Sequence, residues 1–423
     1  MYTLLPKIVL SDTPTALTLR PGPDDAPLDS AREYEIRFYA MDSTAAEHSA
    51  QPVAFGVRPQ EGALRFHHTF AGEQEHRLLV FGADPDNEPE GRASLYSVAE
   101  DLFVRRPFKG DTHQHSTYSD GADSPAVLAA YNRQIGMDFA AITDHRAYAP
   151  SLEAIAAFAG VPHDLRLYPG EEVHPPESLV HFVNFGGASS VNDLFAAPSY
   201  QEEVDALIAT LPDVPADVSP YIYASSLWTL AKIQEAGGIA IFCHPYWICR
   251  EQYNVGEGLL ARLFRDQPFD AYELIGGFAP HETESNALQI ARYYEEYSHG
   301  RVLPIVGASD GHGIAKGLHS WYYTVALAPS VELEDLRAAV RDRYTVAVEF
   351  LPGSPAARAW GPFRLVKYVS FLLREAFPEH DALCLEEGRW MADYLGGDEP
   401  AVVHLTRAHG RTRALYDRLW GQT

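Results

Sequence analysis

An α/β barrel, flanked by a β-rich N-terminal segment and a helical C-terminal one, is the fold class this sequence predicts. Three observations predict it. Short alternating apolar patterns fill the first hundred or so residues, apolar runs and helical patterns alternate from about Pro107, and apolar residues recur at helical spacing from about Leu351.

In the N-terminal segment the runs YEIRFYAM, LRFHHTF, RLLVFGA and SLYSV are separated by turns such as RPGPDDAP and GADPDNEPEG. Period-two alternation punctuated by Pro and Gly reads as an antiparallel β-sandwich or small barrel over residues 1–106. It carries no ligand constellation, and His67 and His68 read as strand or surface residues. Over 107–350, apolar runs end at FKGDTHQH, FAAITDH, LYPGEEV, LVHFVNF, IAIFCHP, AYELIGG and LPIVGASDGH. Helical patterns lie between many of them: SPAVLAAYNRQIGM, SLEAIAAFAG, SLWTLAKIQEAGG, EGLLARLFRDQP and ESNALQIARYYEEYSHG. Ser124 before Pro125 is a helix start signal. Repeated strand–helix units imply a parallel sheet, and seven of them a closed or nearly closed barrel. An irregular stretch from about Gly186 to Ser225, holding one helix (QEEVDALIATL), would cover the active face. Residues 351–423 read as a helical extension without chemistry of its own.

The composition excludes several classes. Of 423 residues, 46% are hydrophobic and 22% charged, an ordinary globular balance. Against 33 lysines and arginines stand 58 acids, a formal charge of −25. Such a surface repels a phosphate backbone, so no long nucleic-acid track is expected, although bound cations would reverse the sign locally for a small anionic substrate. No uninterrupted run of 18 apolar residues predicts a membrane span. MYTLLPKIVLSDTP lacks the pattern of a secretory leader, and Cys243, Cys249 and Cys384 make no disulfide framework. A cytoplasmic location is the expectation.

The 18 histidines gain meaning from their positions. In a parallel barrel the C-terminal ends of all strands share one face, so residues distant in sequence converge there. The first strand ends in Asp111-Thr112-His113-Gln114-His115, whose two imidazoles point the same way, with Asp120 in the following turn. The second ends in Thr143-Asp144-His145, the third offers Glu171 and Glu172, and the next carries His181. Cys243-His244-Pro245 and Ser309-Asp310-Gly311-His312 end two more. Singly, each would be a turn or a structural histidine. Together, at the strand ends of one barrel, they read as a metal site.

These motifs resemble those of the PHP (polymerase and histidinol phosphatase) family. His113-Gln114-His115-Ser116-Thr117-Tyr118-Ser119-Asp120-Gly121 is similar to its first motif and Phe139-Ala140-Ala141-Ile142-Thr143-Asp144-His145 to its second. Pro169-Gly170-Glu171-Glu172-Val173 resembles its carboxylate motif and Gly307-Ala308-Ser309-Asp310-Gly311-His312 its last, in the same order, over roughly 108–350. The resemblance implies a distorted seven-stranded (β/α) barrel and three divalent ions, with zinc, manganese or iron suited to nitrogen and carboxylate ligands. His113, His115, Glu172 and Asp310 would hold the first; Glu172 as a bridge, with His181 and His244, the second; Asp120, His145 and His312 the third. Of these, Asp120, His145, Glu172, Asp310 and His312 would carry catalysis.

Strand alternation sends Glu171 to the side opposite Glu172 and turns Cys243 away from His244, into packing. His174 shares the face of Glu172 but reads as a supporting or surface residue. Asp144 is expected to orient an imidazole. Arg146, Lys316 and Arg250, on loops after His145, His312 and His244, are candidates to bind phosphate, with His319 a weaker one. Tyr118 and Tyr148 would line the pocket.

The expected function is hydrolysis of a small phosphate mono- or cyclic ester, with a hydroxide bridging two ions as nucleophile and no serine or cysteine nucleophile needed. Two other readings stay open: a non-catalytic metal-binding module whose β domain recognises a partner, and a metal-dependent amide or lactone hydrolase. Histidinol-phosphate phosphatase and a polymerase-associated nuclease rank lower.

Overall fold

The computed structural model describes residues 2–43, 53–82, 88–211, 214–279 and 282–422. The chain forms two compact units. One comprises residues 1–106, 367–380 and 410–423, the other 107–366 and 381–409. The C-terminal helices, expected as one extension, are thus divided between the two units.

The first unit holds β1 (Thr3–Leu5), β2 (Ile8–Leu10), β3 (Pro14–Arg20), β4 (Tyr34–Ala40), β5 (Val53–Val57), β6 (Leu64–Thr69), β7 (Gln74–Phe81) and β8 (Gly91–Val98). They make a three-stranded sheet, β1-β3-β6, and a five-stranded one, β2-β8-β7-β4-β5. Pairing is antiparallel except between β2 and β8, which run parallel. Alternate residues point inward: Leu17, Leu19, Leu64 and Phe66 from one sheet share a core with Ile36, Phe38, Leu78 and Val80 from the other. Each such side chain withdrawn from water contributes on the order of 2 kcal/mol. Part of the turn GADPDNEPEG lies outside the described residues.

The second unit holds two mixed sheets. In the first, β9 (Arg106–Asp111), β10 (Phe139–Ala141) and β11 (Arg166–Tyr168) pair in parallel. In the second are β12 (Gly170–Val173), β13 (Phe182–Phe185) and β14 (Ile239–Phe242). A two-stranded hairpin, β15 (Ile248–Cys249) and β16 (Gln252–Tyr253), follows. Next come β17 (Ala271–Ile275) and β18 (Ile305–Gly307), both in the second sheet, whose order is β12-β13-β14-β17-β18. The chain then returns to the first sheet with β19 (Tyr322–Ala328), β20 (Thr345–Glu349) and β21 (Arg358–Trp360), giving the order β11-β10-β9-β19-β20-β21.

Two features depart from an all-parallel arrangement. β13 runs antiparallel to both β12 and β14, whereas β14-β17-β18 are parallel. The link from β12 to β13 is the short, helix-free segment 174–181, and a parallel return would need a crossover of a dozen residues or more. β19, β20 and β21 form an antiparallel run, the last of them inside the stretch expected to be helical.

The expected helices form at Pro125–Gln134, Ala149–Phe158, Ser199–Thr210, Pro220–Glu235, Glu257–Asp266 and Thr283–Ser298. Ser124 caps the first, its side chain accepting from the Val127 N–H, with Pro125 opening the helix. Ser219 and Pro220 do the same for Pro220–Glu235. Among the described residues no helix is long and apolar enough to cross a membrane.

The two sheets meet at strand ends. Isolated parallel bridges pair Gln114 with Gly311 and His145 with Glu172. The His115 N–H donates to Gly311 O at 2.9 Å, Asp310 N–H to His113 O at 2.9 Å, and Arg146 N–H to Glu172 O at 3.0 Å. These bonds bring the ends of β9, β10, β12 and β18 to one place.

Candidate metal centre

Asp111 sets the floor of the centre. Its buried carboxylate accepts from the backbone N–H of His113 at 3.2 Å and of Ser309 at 3.0 Å, splicing the first strand end to the last. Burial pushes this carboxyl up to about 7. Above it Asp310 takes a left-handed backbone, φ 47°, and His244 a φ of 20°. Non-glycine residues hold such conformations at a cost of about 1–3 kcal/mol, met by the surrounding structure.

Glu172, fully buried, is the hub. Its Oε1 lies 2.8 Å from His181 Nδ1, 3.4 Å from His244 Nε2 and 3.6 Å from His113 Nε2. Its Oε2 lies 3.2 Å from His174 Nε2 and 3.7 Å from His115 Nε2, and contacts His145 Nδ1. Asp310 is the second anion: Oδ1 is 2.8 Å from His115 Nε2 and 3.4 Å from His113 Nε2, and Oδ2 is 3.9 Å from His244 Nε2. Asp120 Oδ1 approaches His145 Nε2 at 3.5 Å and His312 Nε2 at 3.3 Å. The nine residues expected as ligands come together in one cluster, but its groups overlap: His115 lies with Asp120, His145 and His312, and His145 also meets Glu172.

The electrostatics follow from this contact pattern. Burial alone would raise the Glu172 carboxyl, yet His181 and His113 hold it well below the usual carboxylate range. His113 and His115 do the same for Asp310.

The donor set fits divalent cations. Among the described residues, His113 Nε2, His181 Nδ1 and both Glu172 oxygens are buried without a hydrogen-bond partner, although they lie close to one another. Lone pairs converging without hydrogen-bond geometry are costly unless a cation satisfies them. Two ligands about 2.1 Å from one ion sit roughly 3.0–3.4 Å apart in octahedral or tetrahedral geometry, close to the spacings here.

One carboxylate was not foreseen. Glu273, in the wholly buried strand β17, lies 2.9 Å from His113 Nδ1 and so fixes which nitrogen His113 presents. Its signal in the sequence was an acid inside the apolar run AYELI. Asp144, expected in that orienting role, instead accepts from Ser116 N–H at 2.8 Å, Ser116 Oγ at 2.6 Å and Ser119 Oγ at 2.5 Å. It shapes the turn that carries Asp120, because its side chain leaves the strand on the side opposite His145.

Glu171 does face away from Glu172. It accepts from Ser190 Oγ and Asn192 Nδ2, each at 2.9 Å, and from the Val191 N–H, tying the irregular stretch after β13 to the strand. Cys243 packs in the core with Val183 and Ile241. Its sulfur nevertheless lies within 4.8 Å of donor nitrogens of His113 and His244, because the His244 backbone breaks strict alternation. His174 is closer than expected, with Nε2 2.9 Å from His145 Nδ1.

Arg146, Arg250 and Lys316 are exposed on the loops after His145, His244 and His312 and make no ion pair among the described residues. His319 is buried, both ring nitrogens without a hydrogen-bond partner among the described residues, its ring against Gly311. Tyr118 OH donates to Glu153 at 2.6 Å and Tyr148 OH to Gly187 O at 2.7 Å.

No family model matches the chain. The DNA polymerase/3'-5' exonuclease PolX of Bacillus subtilis is 36% identical over 114 residues, 26% of this chain and 19% of that protein, so the match spans about a fifth of its length. Among solved structures, a two-domain protein of Bacteroides vulgatus, described as containing a predicted PHP-like metal-dependent phosphoesterase, is 17% identical. It covers 58% of this chain and 65% of that one, with a TM-score of 0.39. An amidohydrolase from Chromobacterium violaceum is 22% identical and covers 50% of this chain and 89% of that one, with a TM-score of 0.29. Both TM-scores lie below 0.5, and the chemistry of the site rests on its own residues. In motif order, and in the side-chain cluster those motifs build, the region from about 108 to 350 resembles the PHP family.

Proposed function

We propose that this protein is a metal-dependent hydrolase of small phosphate mono- or cyclic esters, with three divalent ions (zinc, manganese or iron) held by the three donor groups. One observation carries the reading: the two oxygens of a single buried carboxylate, Glu172, each face their own set of imidazoles, as a ligand bridging two ions would. The bridges Gln114–Gly311 and His145–Glu172 are consistent with β9, β10, β12, β13, β14, β17 and β18 closing into a seven-stranded ring around it.

Bound cations would supply Lewis acidity and hydroxide at neutral pH, lowering the pKa of water from 15.7 to about 7. The chain's own residues do the rest. Glu273 and Asp111 hold the first histidines in place, and Asp120, with His145 and His312, closes the outer side. Arg146, Lys316 and Arg250 are cations without an ion-pair partner among the described residues, in a chain of net charge −25. That is the supply of positive charge a phosphate group needs, and it favours a phosphoester over an amide or lactone. Three cysteines outside any disulfide suit a cytoplasmic enzyme.

The test is metal analysis of the purified chain joined to a panel of mono-, bis- and cyclic phosphates, with amides and lactones alongside. Turnover of phosphates that chelation abolishes supports the reading. Turnover of lactones or amides only would replace it with the carbonyl hydrolase, and metal binding without turnover with the non-catalytic module. Lys316→Ala should raise KM for phosphates severalfold; an unchanged KM removes Lys316 from the site.

A further inference from the structure

Beyond the nine donors of the three groups, one more nitrogen is aimed at the hub. His174 lies two residues after Glu172, on the same side of the extended chain. Its Nε2 stands 3.2 Å from Glu172 Oε2 and 2.9 Å from His145 Nδ1. Its side chain is only 11% exposed, and its ring lies flat on that of His181, centroids 3.9 Å apart and planes 21° from parallel.

The position is built rather than incidental. The His174 N–H donates to Asn192 Oδ1 at 3.1 Å, and Asn192 Nδ2 donates in turn to Glu171 Oε2 at 2.9 Å and Glu172 O at 3.0 Å. Glu171 is fully buried and also takes the Ser190 hydroxyl and the Val191 N–H. A part-buried, hydrogen-bonded network thus locks the backbone that presents His174, as a ligand's supporting shell does.

We propose that His174 is a tenth donor of this centre, its Nε2 binding, together with His145 Nδ1 and Glu172 Oε2, the divalent cation on the Oε2 side of Glu172. The inference rests on reading the cluster as a metal centre and adds a ligand that the family resemblance does not supply. Two imidazole nitrogens bound to one ion at about 2.0–2.1 Å stand roughly 2.9–3.4 Å apart. Nitrogens 2.9 Å apart with a carboxylate oxygen beside both can all be satisfied at once by a cation, and not by a single shared proton. A ligand set enriched in imidazole on this side selects zinc or cobalt over manganese or magnesium.

Cobalt(II) is the probe. The full chain, stripped by a chelator and reloaded, is titrated with cobalt as native protein, as His174→Gln and as Asn192→Ala. His174→Gln should weaken one cobalt equivalent by at least about tenfold in chelator competition and change the visible absorption of that equivalent, leaving the others as in the native chain. Asn192→Ala keeps the ring but removes its anchor, and should shift the same equivalent less. Native affinity and an unchanged spectrum in a folded His174→Gln protein would overturn the proposal. If that variant does not fold, an Asn192→Ala titration superimposable on the native one overturns it instead. Failure of the native chain to bind cobalt would sink the metal centre as a whole, an outcome distinct from a native chain that binds and a variant that binds equally.

Discussion

Both units bury histidines, and they do so for different ends. In the β unit, His76 is 4% exposed, its Nε2 2.8 Å from the Ser97 hydroxyl and its ring beside Phe70. His68 lies flat on Phe38, centroids 4.7 Å apart and planes 4° from parallel, with Phe70 at its edge. Neither forms an ion pair with a carboxylate among the described residues. In the other unit His113 is just as withdrawn from water, yet Glu172, Glu273 and Asp310 all reach it. Burial is therefore not what distinguishes a ligand. Aromatic neighbours and a hydroxyl satisfy an imidazole as a packing element, whereas anionic oxygens arrayed around several imidazoles leave lone pairs that only a cation satisfies together.

The comparison breaks most sharply at the anions. Asp310→Asn keeps the shape of a side chain that faces His113, His115 and His244 but removes its charge. Hydrolysis should fall by well over about a hundredfold and metal content should drop, while unfolding stays cooperative, since effects of that size already follow from supporting partners. Native turnover by this variant would mean that the carboxylates do not define the centre. Glu273→Gln is the finer cut. It replaces an oxygen 2.9 Å from His113 Nδ1 and touches no other expected ligand. Metal affinity should fall by about 10- to 100-fold, with kcat restored at saturating metal. A loss that excess metal does not restore would place Glu273 in the chemistry rather than behind it.

In the β unit the same logic yields a stability effect without an activity effect. Burial pushes His76 from an ordinary value of 6.5 down to about 4. The folded state thus binds this proton less readily than the unfolded chain. The stability it protects is complete above pH 6.5 and is lost as pH falls toward 4, by roughly 2–3 kcal/mol once screening is allowed for. His76→Gln, which cannot titrate, should narrow its deficit against the native protein between pH 7 and pH 4.5 in urea unfolding. A deficit that stays constant over that interval would show that His76 does not report on acid stability.

How much of this was legible in the chain differs by element. The convergence of the nine expected donors could be read because the strand-end rule gives distant residues a common address, and the structure brings His113, Glu172, His244 and Asp310 within ion-pair range of one another. Glu273 could not, because a single acid in AYELI has no periodicity to mark it and its partner is 160 residues away. The antiparallel course of β13 was hidden for a similar reason: an apolar run shows that a strand is buried and not which way its neighbour runs. Asp144 was misassigned because adjacency to His145 in sequence is opposition across a strand. Cys243 packs in the core as expected, yet one unusual backbone angle at His244 leaves its sulfur near the imidazoles of His113 and His244.

The smallest effect belongs to His68, and it tests the comparison from the side of the null result. If its imidazole serves only as a flat ring between aromatic neighbours, phenylalanine should do the same work. The stack on Phe38 and the edge contact with Phe70 need no nitrogen, and a ring of similar thickness keeps both. Burial already lowers the pKa of His68, so the neutral ring is the form that packs, and its replacement by an apolar ring removes no charge at neutral pH. His68→Phe should change stability by no more than about 0.5 kcal/mol and leave metal content and turnover as they were. The matching exchange in the other unit, His181→Phe, keeps the ring that stacks on His174 but deletes the nitrogen 2.8 Å from Glu172 Oε1, and should cost metal. Equal tolerance of the two substitutions in metal analysis would erase the distinction between a packed histidine and a ligating one.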